Sequence, residues 1–199
     1  MIIVDTETTG VDPDKHSLLS IGAVDFSDPS RRFYGECRIF DGALVSKEAL
    51  AINGFDETSI RDMCKMTDGE LVAQFAAWAA QSTDTTFAGE NPSFDRDFMK
   101  KTANRYGLNW SFAHRTVDLH SIAYAALMRE GKAIPMKNGH TGQDLKATLA
   151  LVGIQDTRTT HNALEDALLE AEAFSRLIHR RGLLKEYSEH PISSISVVR

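Results

Sequence analysis

Short apolar runs, each bounded by turn residues, predict four β-strands. The runs are rich in Ile, Val, Leu and Phe, and the first two are separated by Gly10, Asp12 and Pro13, which is the usual signature of strands joined by a loop. The predicted strands cover residues 1–4, 18–26, 38–40 and 86–88.

Apolar side chains that recur every three or four residues predict five helices. The predicted helices cover residues 68–81, 94–106, 117–128, 144–152 and 163–179. One face of the last helix carries Leu164, Ala167, Leu168, Ala171, Phe174 and Ile178. Strands come first and helices dominate later, so the pattern predicts an α/β domain whose mixed sheet is covered by helices.

The chain of 199 residues is long enough for one domain with a sizeable core and short for two. We expect one domain over residues 1–181 and a C-terminal tail over residues 182–199, of which residues 188–199 are expected to be loose. A polar segment at residues 132–142 is predicted to be a loop. Apolar residues make up 42% of the chain and charged residues 25%, which argues against a disordered or fibrous protein.

The chain carries no signal for a membrane or a secretory route. Its longest apolar run, residues 75–80, is far below the roughly 20 residues that cross a bilayer, so no membrane partner is expected. The amino terminus has no basic segment ahead of an apolar stretch. Cys37 and Cys64 do not form a CxxC pair, which favours a reduced, cytoplasmic setting over a disulfide framework.

The net charge of −6 argues against broad electrostatic attachment to nucleic acid, because such binding depends on many Lys and Arg contacts to phosphates. An enzyme that holds only a few terminal nucleotides needs only a local basic patch, and a carboxylate-rich metal site itself adds negative charge. Lys100, Lys101 and Arg105, on the predicted helix 94–106, are the candidates for that patch.

A pair of acids follows the first apolar run. Asp5 and Glu7 are two positions apart, so on a strand their side chains project from the same face. Two acids held side by side repel each other unless a cation lies between them, and a hard ion such as Mg²⁺ or Mn²⁺ prefers oxygen ligands. The alternative is an exposed acidic strand end followed by a Thr-rich turn.

A second acid, Asp95, follows the strand predicted at 86–88. Phe94 and Phe98 would anchor the helix in the core while Asp95 points back toward the strand ends. Taken alone, Asp95 also fits a helix-start acid favoured by the helix dipole. The neighbouring Asp97 is equally acidic but faces another direction.

The third cluster precedes the last predicted helix. Asn162 can cap this helix, with Glu165 three residues on in a capping-box pattern. His161 then lies just outside the helix and Asp166 in its first turn. A lone His before a helix is more often a surface residue than a functional one.

The three clusters occur in the order Asp-x-Glu, Asn-x-x-Phe-Asp and His-x-x-x-x-Asp, and with this order the chain resembles the DEDDh family of 3′→5′ exonucleases. That family, which is DnaQ-like, includes the proofreading subunit of bacterial replicative polymerase, ribonuclease T and oligoribonuclease. The opening at residues 3–10, Ile-Val-Asp-Thr-Glu-Thr-Thr-Gly, is most similar to the proofreading type. The resemblance spans roughly residues 2–171.

The resemblance implies an RNase H-like sheet and a two-metal-ion centre. Carried over position by position, Asp5, Glu7 and Asp166 would hold one Mg²⁺ ion, and Asp5 and Asp95 would help hold the second, with Mn²⁺ as a substitute. His161 would be the general base. The two ions would activate a water, align it with the terminal phosphodiester and neutralise charge on the leaving 3′ oxygen.

The resemblance also implies residues that contact the strand. Thr6, Thr8 and Asn91 are assigned to the terminal nucleotide, although the two threonines could simply form the turn. Phe55 falls where relatives present an apolar wedge to the last bases, with an ordinary core role as the alternative. Glu90 departs from the family pattern, in which many relatives have His before the Asn of the middle motif.

The expected activity is removal of nucleoside monophosphates from the free 3′ end of single-stranded DNA. Alternatives are an exoribonuclease of the ribonuclease T or oligoribonuclease type, a proofreading subunit bound to a DNA polymerase, and a catalytically silent binding module. Loss of an acid or of His161 would favour the silent module, and none is lost. The tail shows no Gln-plus-aromatic clamp-binding signature, so polymerase association is not indicated. A homodimer is compatible with the resemblance, and a 2′-hydroxyl preference depends on a few local contacts.

Overall fold

A computed structural model describes residues 1–195, and its centre is a five-stranded mixed sheet. The strand order is β3-β2-β1-β4-β5, with β1 antiparallel to β2 and parallel to β4. The strands of this sheet are β1 (Ile2–Thr8), β2 (Leu18–Asp25), β3 (Asp28–Glu36), β4 (Phe87–Gly89) and β5 (Thr116–Asp118). A separate hairpin is formed by β6 (Met136–Lys137) and β7 (His140–Thr141).

Helices cover both faces of the sheet, as the α/β pattern predicted. They are α1 (Lys47–Asn53), α2 (Asp68–Ala79), α3 (Pro92–Arg105), α4 (Leu119–Arg129), α5 (Leu145–Leu151) and α6 (Ala163–His179). One core lies between the sheet and α4, α5 and α6 and includes Ile3, Val24 and Phe174. A second core, on the opposite face, includes Val4 and Phe75 and packs α2 and α3. The predicted α/β fold with a mixed sheet is confirmed.

Alternation along β1 sends its side chains to the two faces in turn. Ile3 belongs to the core under α6, and Val4 belongs to the core under α2 and α3. By the same alternation Asp5 and Glu7 face α6, whereas Thr6 faces α3. The end of β1 can therefore meet residues from both helical layers.

The third predicted strand is wrong. Arg38 forms only an isolated bridge with Thr67, and the strand that pairs with β2 is β3. As an edge strand β3 alternates between exposed and half-buried positions, and it carries Pro29 and Arg31. Its polar composition hid it, because an edge strand can face water on one side.

Other local elements also differ from the sequence prediction. Strand β5 occupies the start of the helix predicted at residues 117–128, and the hairpin of β6 and β7 lies inside the predicted loop at 132–142. Helix α1 was not predicted. These elements have seven residues or fewer, so each is too short for hydrophobic periodicity to identify.

The described part of the segment predicted to be loose, residues 188–195, is anchored to the domain, and residues 196–199 lie outside the described residues. Ile195 is 5% exposed and belongs to the core under α6. The buried guanidinium of Arg176 donates to the carbonyl oxygens of Tyr187 at 2.9 Å and Pro191 at 3.0 Å. Arg176 is itself paired with Glu172 at 2.7 Å. A buried Arg needs such acceptors, and the backbone of the tail supplies them.

Within residues 1–195, no helix is both long enough and apolar enough to cross a bilayer.

Candidate active site

The first two candidate acids stand at the end of the central strand. Asp5 pairs in register with Gly22 of β2, and Glu7 pairs with Ser20. Glu7 is 8% exposed. Both carboxylates share the face covered by α6, as their spacing predicted.

Gly22 allows α6 to begin directly above these acids. A Cβ atom at Gly22 would lie 2.1 Å from the carbonyl carbon of Ala163 and 2.1 Å from the amide nitrogen of Leu164. Any side chain at this position would therefore push the start of α6 away from the sheet. The close approach places the first turn of α6, with Asp166, over β1.

The start of α6 also positions His161 and Asp166. The side chain of Asn162 accepts hydrogen bonds from the amides of Leu164 at 3.1 Å and Glu165 at 3.2 Å, so the predicted cap is present. Asp166 is 2% exposed. His161 Nδ1 lies 2.9 Å from Asp166 Oδ2, and the His161 side chain remains 48% exposed. The imidazole thus connects a buried acid to solvent.

Asp95 reaches the same region from the opposite layer. It lies in the first turn of α3 and is 3% exposed. The hydroxyl of Thr6 donates to Asp95 Oδ1 at 2.8 Å. Because Thr6 follows Asp5 directly, this bond ties the α3 acid to the end of β1.

Burial and mutual repulsion dominate the electrostatics of the acids. Burial raises the pKa of Asp5 well above its usual range, and the neighbouring Asp95, Glu170, Asp166 and Glu7 raise it further. Burial raises the pKa of Glu7 to about 7 and that of Asp95 to about 7. Charged carboxylates are therefore costly here unless a cation compensates them.

The histidine is held in one useful form. Since the Asp166 carboxylate only accepts, the hydrogen bond places the proton on Nδ1 and leaves Nε2 of the neutral ring as an acceptor. The same hydrogen bond raises the pKa of His161 above its ordinary value.

The donor set fits a hard divalent cation. Ligand atoms of Glu7, His161 and Asp166 all lie within 4.8 Å of one another. Asp5, which is half-buried, and the buried Asp95 add two carboxylates whose pKa values are raised by desolvation. Oxygen-rich sites of this composition suit Mg²⁺ or Mn²⁺, and a cation would offset the repulsion between the acids.

Glu170 is a site residue that the sequence analysis missed. It is 1% exposed, and its Oε2 has no hydrogen-bond partner among residues 1–195. A Cβ at Gly89 would lie 2.9 Å from that oxygen, so the glycine makes room for the carboxylate. Glu170 follows Asp166 by one helical turn on α6, and this spacing is the signal that could have identified it.

Arg158 was also missed. It lies in the connection between α5 and α6, and its guanidinium contacts the carboxylates of both Asp156 and Asp166. No periodic pattern marks it, because it belongs to an irregular segment.

A groove of about 190 Å³ adjoins the acids. It is lined by Thr6, Glu7, Thr8, Gly10, Val11, Ala49, Ile52, Asn53 and Phe94. Val11 is 81% exposed and Ile52 is 55% exposed, so apolar side chains are presented to solvent. The hydroxyl of Thr8 donates to the carbonyl of Gly10 at 2.7 Å, which is the turn-forming role left open above.

Phe55 lies outside this groove. It packs against the small core that contains Leu19 and Ile60, and the Lys65 ammonium lies 5.3 Å from its ring centroid. Its position therefore gives no support to base stacking and agrees with the core alternative. Asn91 is exposed at the start of α3, with φ of 54°. Its backbone N–H donates to Asp118 Oδ1.

Two of the three candidate basic residues on α3 are engaged elsewhere. Lys101 pairs with Asp14. Arg105 pairs with Asp68 at 3.1 Å, and its guanidinium lies 3.6 Å from the ring centroid of Phe40. Lys100 is exposed. Because all three residues are exposed on one helix, their role in strand binding stays a prediction.

Glu90 marks the departure from the family pattern. Its Oε1 lies 3.6 Å from His120 Nδ1, and its Oε2 is buried with no hydrogen-bond partner in the described chain. Burial, together with Asp118 and Asp144, raises the pKa of Glu90 to about 8.

A mixed sheet that brings buried acids and one histidine together at the end of its central strand is the architecture of a metal-dependent nuclease. The RNase_T model, which describes an exonuclease domain, matches residues 2–174. The chain belongs to this exonuclease family. It is a phosphodiester-hydrolysing 3′→5′ exonuclease of the DnaQ-like type, which confirms the family predicted from the three motifs.

Relatives and solved structures agree with this assignment. Ribonuclease T of Yersinia pestis is 27% identical over 193 residues, covering 90% of this chain and 84% of that protein. Ribonuclease T of Shewanella oneidensis is 28% identical over 196 residues, covering 90% and 82%. The zinc-bound complex of E. coli exonuclease I with single-stranded DNA superposes with a TM-score of 0.71 at 20% identity. The match covers 90% of this chain but 40% of exonuclease I. At 20% identity this likeness supports the fold alone.

Proposed function

We propose that this exonuclease removes nucleoside monophosphates one at a time from the free 3′ end of single-stranded DNA. The observation that carries the proposal is the convergence of five side chains at the end of β1, of which Glu7 also lines the groove. They are the four carboxylates Asp5, Glu7, Asp95 and Asp166 and the imidazole of His161.

Two divalent ions, Mg²⁺ with Mn²⁺ as a substitute, complete the proposed centre. Asp5, Glu7 and Asp166 would hold one ion, and Asp5 and Asp95 would help hold the other. When bound, such ions lower the pKa of water and stabilise charge that develops on the phosphodiester oxygens. The raised pKa values of Glu7 and Asp95, about 7 each, support this assignment, because a cation makes their ionised forms favourable.

His161 is the proposed general base. Its Nδ1 is committed to Asp166 at 2.9 Å, so Nε2 is the atom that takes a proton from the attacking water. The exposed fraction of the His161 side chain, 48%, lets that proton pass to solvent after each cycle.

The proposed strand contacts lie along the groove. Val11 and Ile52 present apolar surface to the terminal base, and Thr8 lines the same wall. Thr6, whose hydroxyl is bound to Asp95, would act on the nucleotide chiefly through that acid. Asn91 remains a proposed contact at the start of α3.

Two kinds of relative point to different sugars. The solved exonuclease I structures carry DNA oligonucleotides such as dA16 and dT13, whereas the matched relatives at 27% and 28% identity are named ribonuclease T. An exoribonuclease activity is therefore the second candidate.

A reduced, cytoplasmic setting is supported by Cys37 and Cys64, which are both free thiols.

Digestion of matched oligonucleotides tests the proposal. DNA and RNA strands of one sequence, labelled at the 5′ end, are incubated with Mg²⁺ and separately with excess EDTA. We expect a ladder of shortened 5′-labelled DNA products with Mg²⁺ and no products with EDTA. A strand with a 3′ phosphate should resist. Faster loss of the RNA strand would favour the exoribonuclease, and cleavage of a closed circle would contradict an exonuclease of either kind.

Oligomeric state and polymerase binding are tested separately. Light scattering of the purified chain distinguishes a monomer from the homodimer compatible with the family resemblance. Co-elution with a replicative DNA polymerase from the same source would favour the proofreading alternative.

A further inference from the structure

Arg158 reaches the acid cluster from the connection between α5 and α6. Its side chain is 7% exposed, although it lies in an irregular segment of the surface. Nε and one terminal nitrogen bind the two carboxylate oxygens of Asp156 at 2.9 and 3.0 Å. The other terminal nitrogen contacts Oδ1 of Asp166. The guanidinium thus bridges a loop acid and a candidate metal ligand.

Both carboxylate oxygens of Asp166 are engaged in this arrangement. Oδ1 faces Arg158, and Oδ2 accepts from His161 Nδ1 at 2.9 Å. Arg158 and His161 also lower the pKa of Glu7, against the larger effects of its burial and of Asp166. The end of the cluster formed by Glu7 and Asp166 therefore has protein-supplied positive charge.

At the other end of the cluster, the main influences on the acids are burial and other acids. The main effects on the pKa of Asp5 are burial and four neighbouring acids, and all of them raise it. Glu170 shows the same pattern, with burial and Asp95 as the main causes of its raised pKa. An ion held by Asp166 must share that carboxylate with the guanidinium of Arg158.

We propose that Arg158 is a built-in counter-ion that competes with a divalent metal ion for Asp166. In the metal-free protein the guanidinium stabilises the buried carboxylate. When an ion binds Asp166, the guanidinium leaves Oδ1 and stays on Asp156, because like charges that share one oxygen repel strongly in a buried site. The inference rests on the proposed role of Asp166 as a metal ligand.

Asp156 is suited to hold the displaced side chain. Its carboxylate forms a two-point contact with Arg158, and the hydrogen bond from Arg158 is the main cause that lowers the pKa of Asp156 to about 2. Paired hydrogen bonds between guanidinium and carboxylate are strong and directional. Asp156 therefore stays charged, and Arg158 can lose one partner without becoming an unpaired buried cation.

The consequence is a metal affinity that the protein itself keeps low. Neighbours of metal ligands typically change affinity by about 10- to 100-fold when they are mutated. Removal of a competing cation should therefore tighten the binding of the metal ion. Loss of a merely structural residue at the same place would weaken binding or leave it unchanged.

The test is titration calorimetry with Mn²⁺ on the full chain, without nucleic acid. Arg158→Gln removes the charge, Arg158→Lys retains it, and Arg61→Gln removes one exposed Arg as a charge-matched control. We expect Arg158→Gln to bind Mn²⁺ about tenfold more tightly than the parent. The Mn²⁺ affinities of Arg158→Lys and Arg61→Gln should stay within about twofold of the parent affinity. Lys retains the positive charge, and salt screens the exposed charge of Arg61.

Equal or weaker Mn²⁺ binding by Arg158→Gln overturns the competition. No Mn²⁺ binding by the parent protein would instead contradict the proposed metal centre, so the two failures are distinguishable. If Arg158→Gln does not fold, the parent labelled with ¹⁵N-arginine is titrated with Mg²⁺, and Arg158 is identified by the signal missing in Arg158→Lys. Its guanidinium resonance should shift as the ion binds. A resonance that does not move at saturation overturns the proposal.

Discussion

His161 Nδ1 lies 2.9 Å from Asp166 Oδ2, which links the residue just before α6 to the first turn of that helix. The hydrogen bond orients the imidazole, selects the tautomer with a free Nε2 and raises the pKa of the ring. Through this pair, the buried Asp166 contacts an imidazole that is itself 48% exposed to solvent.

The first prediction is that His161→Ala loses turnover while it retains Mn²⁺ binding. A general base contributes about 10² to 10⁴ in rate, and removal of the imidazole should cost that much in single-turnover cleavage. His140→Ala is the control, because His140 is exposed on the hairpin and contacts the Thr141 carbonyl. Parent-like cleavage by His161→Ala would exclude it as the base.

The same residue predicts the acid limb of the pH profile. The base must be neutral, and hydrogen bonding to Asp166 raises the pKa of His161. Activity should therefore fall as the pH drops, with a midpoint at the pKa of His161 in the metal-loaded protein. This midpoint is measured by single-turnover rates from about pH 5 to 9, taken at intervals of about half a pH unit. A limb that is unchanged in His161→Ala would assign it to another group.

The second prediction concerns metal-dependent stability. A ligand present at about 100 times its Kd stabilises the folded state by about 2.7 kcal/mol, so Mg²⁺ or Mn²⁺ should raise the Tm of the parent protein. Asp5→Asn should be at least as stable as the parent in EDTA, because it removes a repelling charge, but should gain little from the metal. Asp97→Asn is the matched control, since Asp97 pairs with Arg96 and is half exposed. An equal gain in all three proteins would place the bound ion elsewhere.

The third prediction is a loss of stability with rising pH in the metal-free protein. The pKa values of Glu7 and Asp95 are raised by burial to about 7 in the folded state, and that of His161 is raised by Asp166. Each raised pKa adds stability that is fully present below the unfolded pKa and is lost as the pH rises through the folded pKa. At about 1.4 kcal/mol per pKa unit, the free energy of unfolding in EDTA should fall between about pH 4 and 7.

Urea unfolding in EDTA, followed across this pH range, measures the effect. Saturating Mg²⁺ should flatten the profile, because the ion compensates the ionised carboxylates. A metal-free protein that gains stability between about pH 4 and about pH 7 would contradict the predicted sign.

The fourth prediction contrasts two buried glutamates of α6. Glu170 has an unpartnered Oε2 beside other acids, whereas Glu172 pairs with Arg176 at 2.7 Å and accepts from the amides of Leu183 and Leu184. In EDTA at pH 8, Glu170→Gln should be neutral or stabilising. Glu172→Gln should destabilise by about 3–5 kcal/mol, because it leaves a buried guanidinium without its counter-charge. Chemical unfolding of both variants measures the difference, and the opposite ranking would refute the unpaired state of Glu170.

The sequence by itself predicted the four acids and the histidine of the candidate site. Asp5 and Glu7 follow an apolar run, Asp95 starts a helix, and the Asn162 cap places His161 before a helix and Asp166 within it. These features depend on local spacing, since period 2 along a strand and capping at a helix start involve only near neighbours.

Only the tertiary structure decided how these segments meet. Contact between Thr6 and Asp95 joins residues separated by 89 positions, and the close approach of Gly22 to Ala163 sets α6 over β1. Glu170 and Arg158 entered the cluster in the same way, whereas Phe55 was drawn into a separate small core. Such relations depend on how two faces of one sheet are covered, and packing between distant segments leaves no periodic trace in either of them.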